Sequence, residues 1–147
     1  SEQLTQPDFL PDALESGTPN LPGAAGLAAG IAFVRSVGAE NILAHEQRLI
    51  RELARALERA PRVECFAHPM QTGVLSMRVP GVPSETIAEG LAREGVAVRA
   101  GLHCAPLAHR TAGTEDTGTV RFSASFYTTA RQIEQAAAAV CKTVKNL

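Results

Sequence analysis

Lysine is almost missing from this chain. Twelve arginines stand against two lysines, Lys142 and Lys145, both within six residues of the C-terminal end. Chemistry that needs a buried Schiff-base lysine therefore has to find it elsewhere. Cysteine is scarce as well: Cys65, Cys104 and Cys141 are an odd number, spread far apart, with no C-x-x-C pair. That argues against a disulfide framework and a structural zinc site, and suits reduced thiols. Charge bias is missing too. A net charge of -1 with no basic run gives no pull toward nucleic acid or an anionic membrane, so neither is expected as a partner. The longest uncharged stretch, 16–34, holds Pro19, Asn20, Pro22 and glycines 17, 23, 26 and 30, which makes it a poor membrane span. The opening SEQLTQPDF has neither a cationic start nor an apolar centre, so no secretory signal is expected and a cytoplasmic location is the expectation.

What is present suffices for one core. A chain of 147 residues with 45% hydrophobic content buries roughly 70% of its unfolded surface without covalent staples. Residues 1–22 carry four prolines and no sustained period, and read as an extended lead-in to a small domain over 23–147. The run 23–37 is a small-residue helix candidate with Gly38 as its stop. Over 39–60, Ile42, Leu49, Ile50, Leu53 and Leu57 recur near the 3.6 period, and the charged Arg48, Arg51, Glu52, Arg55, Glu58 and Arg59 form a solvated face.

The period then changes to two. TGVLSMRVP places Leu75, Met77 and Val79 on one side and Ser76 and Arg78 on the other. RVECFA (62–67) and VAVRA (96–100) read as shorter strands. TVRFSAS puts Val120, Phe122 and Ala124 against Arg121, Ser123 and Ser125. Ser84 is a candidate cap for a helix over 85–94, and Thr129 with Gln132 forms a capping-box pattern. That box opens a last helix with the stripe Ile133, Ala137, Val140, Val144 and Leu147. The expected class is α+β: a small, mostly antiparallel four-stranded sheet with helices on one face.

Alternation puts Arg99 and Arg121 together on the uncovered face, beside a Gly-Leu-His-Cys loop. Two guanidiniums there suit a bidentate carboxylate, and positive charge near Cys104 favours its thiolate. On chemistry alone two readings of Cys104 stand level, a working nucleophile and a buried small hydrophobe. Arg99 and Arg121 equally fit surface ion pairs. Cys65 and Cys141 read as inert, His45 as a helix-surface residue and His68 as a loop residue. His103 and His109 offer at most part of a metal site, so no metal is expected.

The stretches LESGTPN (14–20), VRAGLHCAPL (98–107) and GTVRFSASFYTT (118–129), in that order and spacing, resemble the C-terminal part of cysteine desulfurases of the class V aminotransferase superfamily. The nearest branch carries an Arg-x-Gly-x-His-Cys-Ala loop. The resemblance implies a fold type I homodimer that uses pyridoxal 5'-phosphate to convert cysteine into alanine and an enzyme-bound persulfide. It makes Cys104 the nucleophile that attacks the substrate sulfur, Arg121 the holder of the substrate carboxylate, and Arg99 a second arginine at the same mouth. It places His103 beside the nucleophile without a role. Gly17 and Thr18 become the pair whose threonine reaches the cofactor phosphate of the neighbouring subunit.

Leu102, where many relatives have histidine, and Thr128, where asparagine is common, depart from the pattern. The aldimine lysine belongs to a preceding large domain in such enzymes. This chain is therefore expected to be the small C-terminal domain, inactive alone and without covalent cofactor. Its expected partners are its own large domain, a second subunit, a small amino acid and a sulfur-acceptor protein. The alternatives are a class V enzyme acting on another amino acid, a non-catalytic dimerisation or acceptor-docking domain, and a Cys/His hydrolase, which lacks an oxyanion-hole motif.

Overall fold

The computed structural model describes residues 5–15 and 17–147. Residues 1–4 of the expected lead-in, and Ser16 of the first motif, lie outside the described residues. The chain divides into two units, one up to Gly38 and the other from Ala39 to Leu147.

The first unit holds helix α1, Leu21–Val37, which starts two residues ahead of the small-residue run. The reason is local. Asn20 caps it, its Oδ1 accepting from the Gly23 N–H at 3.0 Å, and Pro22 sits in the first turn, where a missing N–H costs nothing. Gly38, at φ 90°, ends it in a conformation that favours glycine.

The second unit is built on a sheet of four strands: β1 (Glu64–Phe66), β2 (Val74–Arg78), β3 (Arg99–Gly101) and β4 (Thr119–Ser123). Their order is β1-β2-β4-β3 and every pairing is antiparallel. Helices α2 (Ala39–Leu57), α3 (Ser84–Arg93) and α5 (Ala130–Lys145) cover one face. The core is where alternation and helical stripes meet: Leu75, Met77 and Val120 from the strands, Leu49, Ile50, Leu53 and Leu57 from α2, Ile87 and Leu91 from α3, and Val140 from α5 have no exposed surface. Each such side chain contributes about 1.5–3 kcal/mol of burial. The Thr129–Gln132 capping box is formed in both directions.

The expected α+β sheet is present, with four differences in detail. Pairing in the third strand begins at Arg99, because Val96 and Val98 pack against the core instead of joining a ladder. Ser84 is the first residue of α3 and makes no capping bond to its own helix. Leu147 is exposed, since α5 ends at Lys145 and carries the chain beyond the core. Finally a short helix, α4 (Pro106–Ala112), lies against the face that the sequence leaves bare. Proline at its start and Gly113 in the left-handed region at its end are the signals that define it. No single helix among the described residues is long and apolar enough to cross a membrane.

Candidate active site

The strand register brings four residues into one row across the open face. Phe66 pairs with Ser76, Ser76 with Arg121, and Arg121 with Arg99. Alternation does the rest, because Cys65, Leu75 and Met77 turn the other way into the core. Arg99 and Arg121 thus stand directly opposite each other with no carboxylate partner among the described residues, an arrangement of like charges that destabilises a sheet unless an anion is bound. Among the described residues the alternative reading as surface ion pairs finds no carboxylate for either arginine. Arg78, in the next row, is spoken for: its Nε donates to Glu64 at 2.7 Å and its Nη1 to the Gly113 carbonyl at 2.6 Å, which ties β2 to the end of α4.

Beneath α4 a cleft of about 370 Å³ opens, floored by Phe66, Ser76, Thr119 and Arg121 and walled by His103 and the Ala105, Ala108, His109 and Ala112 face of the helix. A larger groove of about 590 Å³ lies on the helical side. Its charged groups are Glu94 and Lys142, which neutralise each other at 2.8 Å, so it offers no chemistry.

The loop from Gly101 to Cys104 is held in an uncommon backbone. Gly101 has φ 102°, His103 φ 51° and Cys104 φ 59°; for the two non-glycine residues this is the sparsely populated left-handed region, at a cost of about 1–3 kcal/mol each. The surroundings over-determine it. Ser84 Oγ accepts from the Gly101 N–H at 3.0 Å and donates to Glu85 at 3.2 Å, while the Ser84 N–H donates to the Thr117 carbonyl at 2.9 Å. A Cβ on Gly118 would meet Ser84 Oγ at 2.7 Å and the Gly101 backbone at 3.0 Å, so this crossing needs glycine. Ser84, expected as a cap, is instead the knot between α3, β3 and the turn before β4.

Cys104 is exposed, which rejects the buried-hydrophobe reading. Cys65 is half-buried against the core, and burial, then the Glu58 carboxylate, push its thiol up to about 11. Cys141 is half-buried on α5. His103 Nε2 lies 3.2 Å from the Thr119 carbonyl oxygen. Thr119 Oγ1 lies at the same 3.2 Å from Nε2, so the backbone and the side chain of one residue both hold this edge of the ring. Desolvation first, then the Arg121 guanidinium, hold His103 below the ordinary imidazole value. His109 is buried with its Nδ1 2.7 Å from Thr114 Oγ1, and its ring centre is 5.8 Å from that of His103. No cluster of three metal-ligating side chains occurs among the described residues. His45, expected on the helix surface, is half-buried, with Nε2 donating to the Thr128 carbonyl at 3.0 Å, while His68 is an exposed loop residue.

Arg121 and His103 thus line one cleft, with Arg99 in register beside Arg121 and Cys104 next to His103 in the chain. Gly17 and Thr18 belong to the first unit, where both are exposed and Gly17 has φ 80°. The sequence missed Phe66 and Ser76 as members of the row, because pairing partners are not visible in single segments. It also missed α4, whose proline start and glycine stop were legible.

Residues 2–136 match the aminotransferase class-V family, and the chain belongs to it. It is 39% identical over 131 residues to a cysteine desulfurase of Synechococcus elongatus, covering 88% of this chain and 21% of that protein. It is 36% identical over 138 residues to a probable cysteine desulfurase of Xylella fastidiosa, covering 93% of this chain and 33% of that one. Among solved structures, the cysteine desulfurase of Thermococcus onnurineus superposes with a TM-score of 0.81 at 32% identity, over 93% of this chain and 34% of the other. The chain therefore spans between about a fifth and a third of the length of the curated relatives it matches.

Proposed function

We propose that these residues are the small domain of a cysteine desulfurase and supply the half of its active site that binds the substrate carboxylate and takes the sulfur. The observation that carries this reading is the Arg99–Arg121 pair, like charges in register without a counterion among the described residues, beside an exposed cysteine. Arg121 and Arg99 hold the substrate carboxylate, a planar fork matched to a planar anion. The Cys104 thiolate attacks the sulfur of cysteine, so that a sulfur–sulfur bond forms as the carbon–sulfur bond breaks. The electron pair left on carbon is taken up by a proton, which completes alanine; pyridoxal phosphate, held mainly by a large domain, would supply the electron sink that lets that bond break.

This chain's own residues do not anchor that cofactor covalently: Lys142 is paired with Glu94 on the helical side and Lys145 is exposed at the end of α5. The anchoring amine, and most of the cofactor's contacts, fall to a large domain. By the family pattern Thr18 reaches the cofactor phosphate of a second subunit. Exposed Leu102 and Leu107 flank Cys104 and support delivery of the persulfide sulfur to an acceptor protein.

The test is desulfuration by the complete enzyme, these residues joined to a relative's large domain. Cysteine yields alanine and persulfide, and Cys104→Ala abolishes turnover while cofactor colour persists. Retained desulfuration in that variant rejects the assignment.

A further inference from the structure

Cys104 sits in a tight turn that its own residues do not favour. The Leu102 carbonyl accepts from the Ala105 N–H at 2.8 Å, and both residues between them are left-handed, His103 at φ 51° and Cys104 at φ 59°. Turns with two such central residues are ordinarily built from asparagine and glycine, so this one persists because its surroundings hold it. On one side Thr119 holds the His103 ring, its carbonyl oxygen and its Oγ1 each 3.2 Å from Nε2. On the other side is Ser84. Strand β3 lies at the edge of the sheet, and its last residue, Gly101, gives its N–H to Ser84 Oγ on α3 at 3.0 Å.

We propose that Ser84 is a positioning residue for Cys104: through the Gly101 N–H its hydroxyl holds the 102–105 turn and so fixes where the sulfur is presented. This rests on the reading of Cys104 as the sulfur-accepting thiol given above. The surroundings of Ser84 suit the task. It is buried, its own N–H is spent on the Thr117 carbonyl at 2.9 Å, and its hydroxyl proton is directed to Glu85 at 3.2 Å, which leaves the lone pairs of Oγ for Gly101. Gly118 lets that oxygen come so close, since a Cβ there would meet it at 2.7 Å. Arg121 and Arg99, by contrast, are held by the ladders between β2, β4 and β3. Loss of the Ser84 hydroxyl therefore frees the sulfur without disturbing the carboxylate site.

The first measurement is amide hydrogen exchange in the 147-residue chain, read by NMR. In the wild type the Gly101 and Ala105 N–H groups are expected to be protected. Ser84→Ala is expected to speed exchange at both by about three- to tenfold, the worth of one neutral hydrogen bond, while the core amides of Leu53 and Val140 do not follow. The second is the first turnover of cysteine to alanine, per bound cofactor, by the complete enzyme described above. Ser84→Ala is expected to slow it by about tenfold at saturating cysteine, with the half-saturating concentration unchanged. Ile87→Val, a core loss on the same helix that leaves the Ser84 hydroxyl in place, is expected to keep the wild-type rate.

Unprotected Gly101 or Ala105 amides beside protected core amides in the wild-type chain overturn the inference, and this outcome needs no variant to fold. Exchange that rises equally at every amide in Ser84→Ala overturns it as well, because it marks a general loss of stability. So does a first turnover slowed as much in Ile87→Val as in Ser84→Ala. Cys104→Ala separates the two claims. If that variant is inactive while Ser84→Ala keeps the wild-type rate, only the role of Ser84 is rejected. Turnover retained in Cys104→Ala, or absent from the wild-type complete enzyme, rejects the desulfurase reading and the inference with it.

Discussion

The two faces of one sheet obey opposite rules. On the covered face Leu75, Met77 and Val120 have no exposed surface and meet the stripes of three helices, and that burial supplies the stability. One residue along each strand, on the open face, Ser76 and Arg121 stand in a row with Arg99, where like charges oppose each other and Arg121 Nε lacks a partner among the described residues. The same backbone hydrogen bonds serve both faces. A stable face can therefore carry a neighbouring one whose groups are arranged for a ligand rather than for each other.

Neighbouring side chains on β2 give the largest contrast. Leu75→Ala is expected to cost about 2–5 kcal/mol in urea unfolding, whereas Ser76→Ala stays within about 0.5 kcal/mol. Equal costs would dissolve the distinction between the faces.

The thiols sharpen it. Cys104, exposed beside the open face, is expected to alkylate near neutral pH well before Cys65, whose thiol is pushed up to about 11. The shift has a stability consequence. Cys65 keeps its proton in the folded state to a higher pH than in the unfolded chain, so its contribution is complete below its ordinary 9.0 and is lost as pH rises toward about 11. The alkaline loss of stability should be shallower in Cys65→Ala.

His103 acts at the other end of the scale. Its folded value lies below the ordinary 6.5, so the unfolded chain takes up the proton first and stability falls as pH drops beneath that value. The difference in urea midpoint between about pH 7 and pH 5 should shrink in His103→Gln.

The smallest effect is a gain. Arg99→Gln relieves the opposition to Arg121 and is expected to raise stability by roughly 0.2–0.5 kcal/mol while weakening carboxylate binding. A loss of stability would mean that the two cations are not in conflict.

Much of this was legible locally. Helices α2 and α5 show in their stripes, strands β2 and β4 in their alternation, and the Thr129–Gln132 box in two residues. Ser84 was not legible. Its residue type suits a helix cap, yet its hydroxyl is claimed by the Gly101 N–H from a strand seventeen positions away, a competition that local preference cannot foresee. His103 was singled out, but the residue that holds its ring, Thr119, lies sixteen positions on.

The amino-acid sequence by itself determined which side chains share a face, since a period of two or 3.6 is a property of one segment and its backbone. It therefore determined that Arg99 and Arg121 avoid the core. Tertiary structure decided that they are paired opposite each other, that Phe66 and Ser76 extend their row, and that α4 roofs it. Register and roof arise only when distant segments close on a common core and choose partners, and that choice is made by packing energy rather than by the period of any one strand.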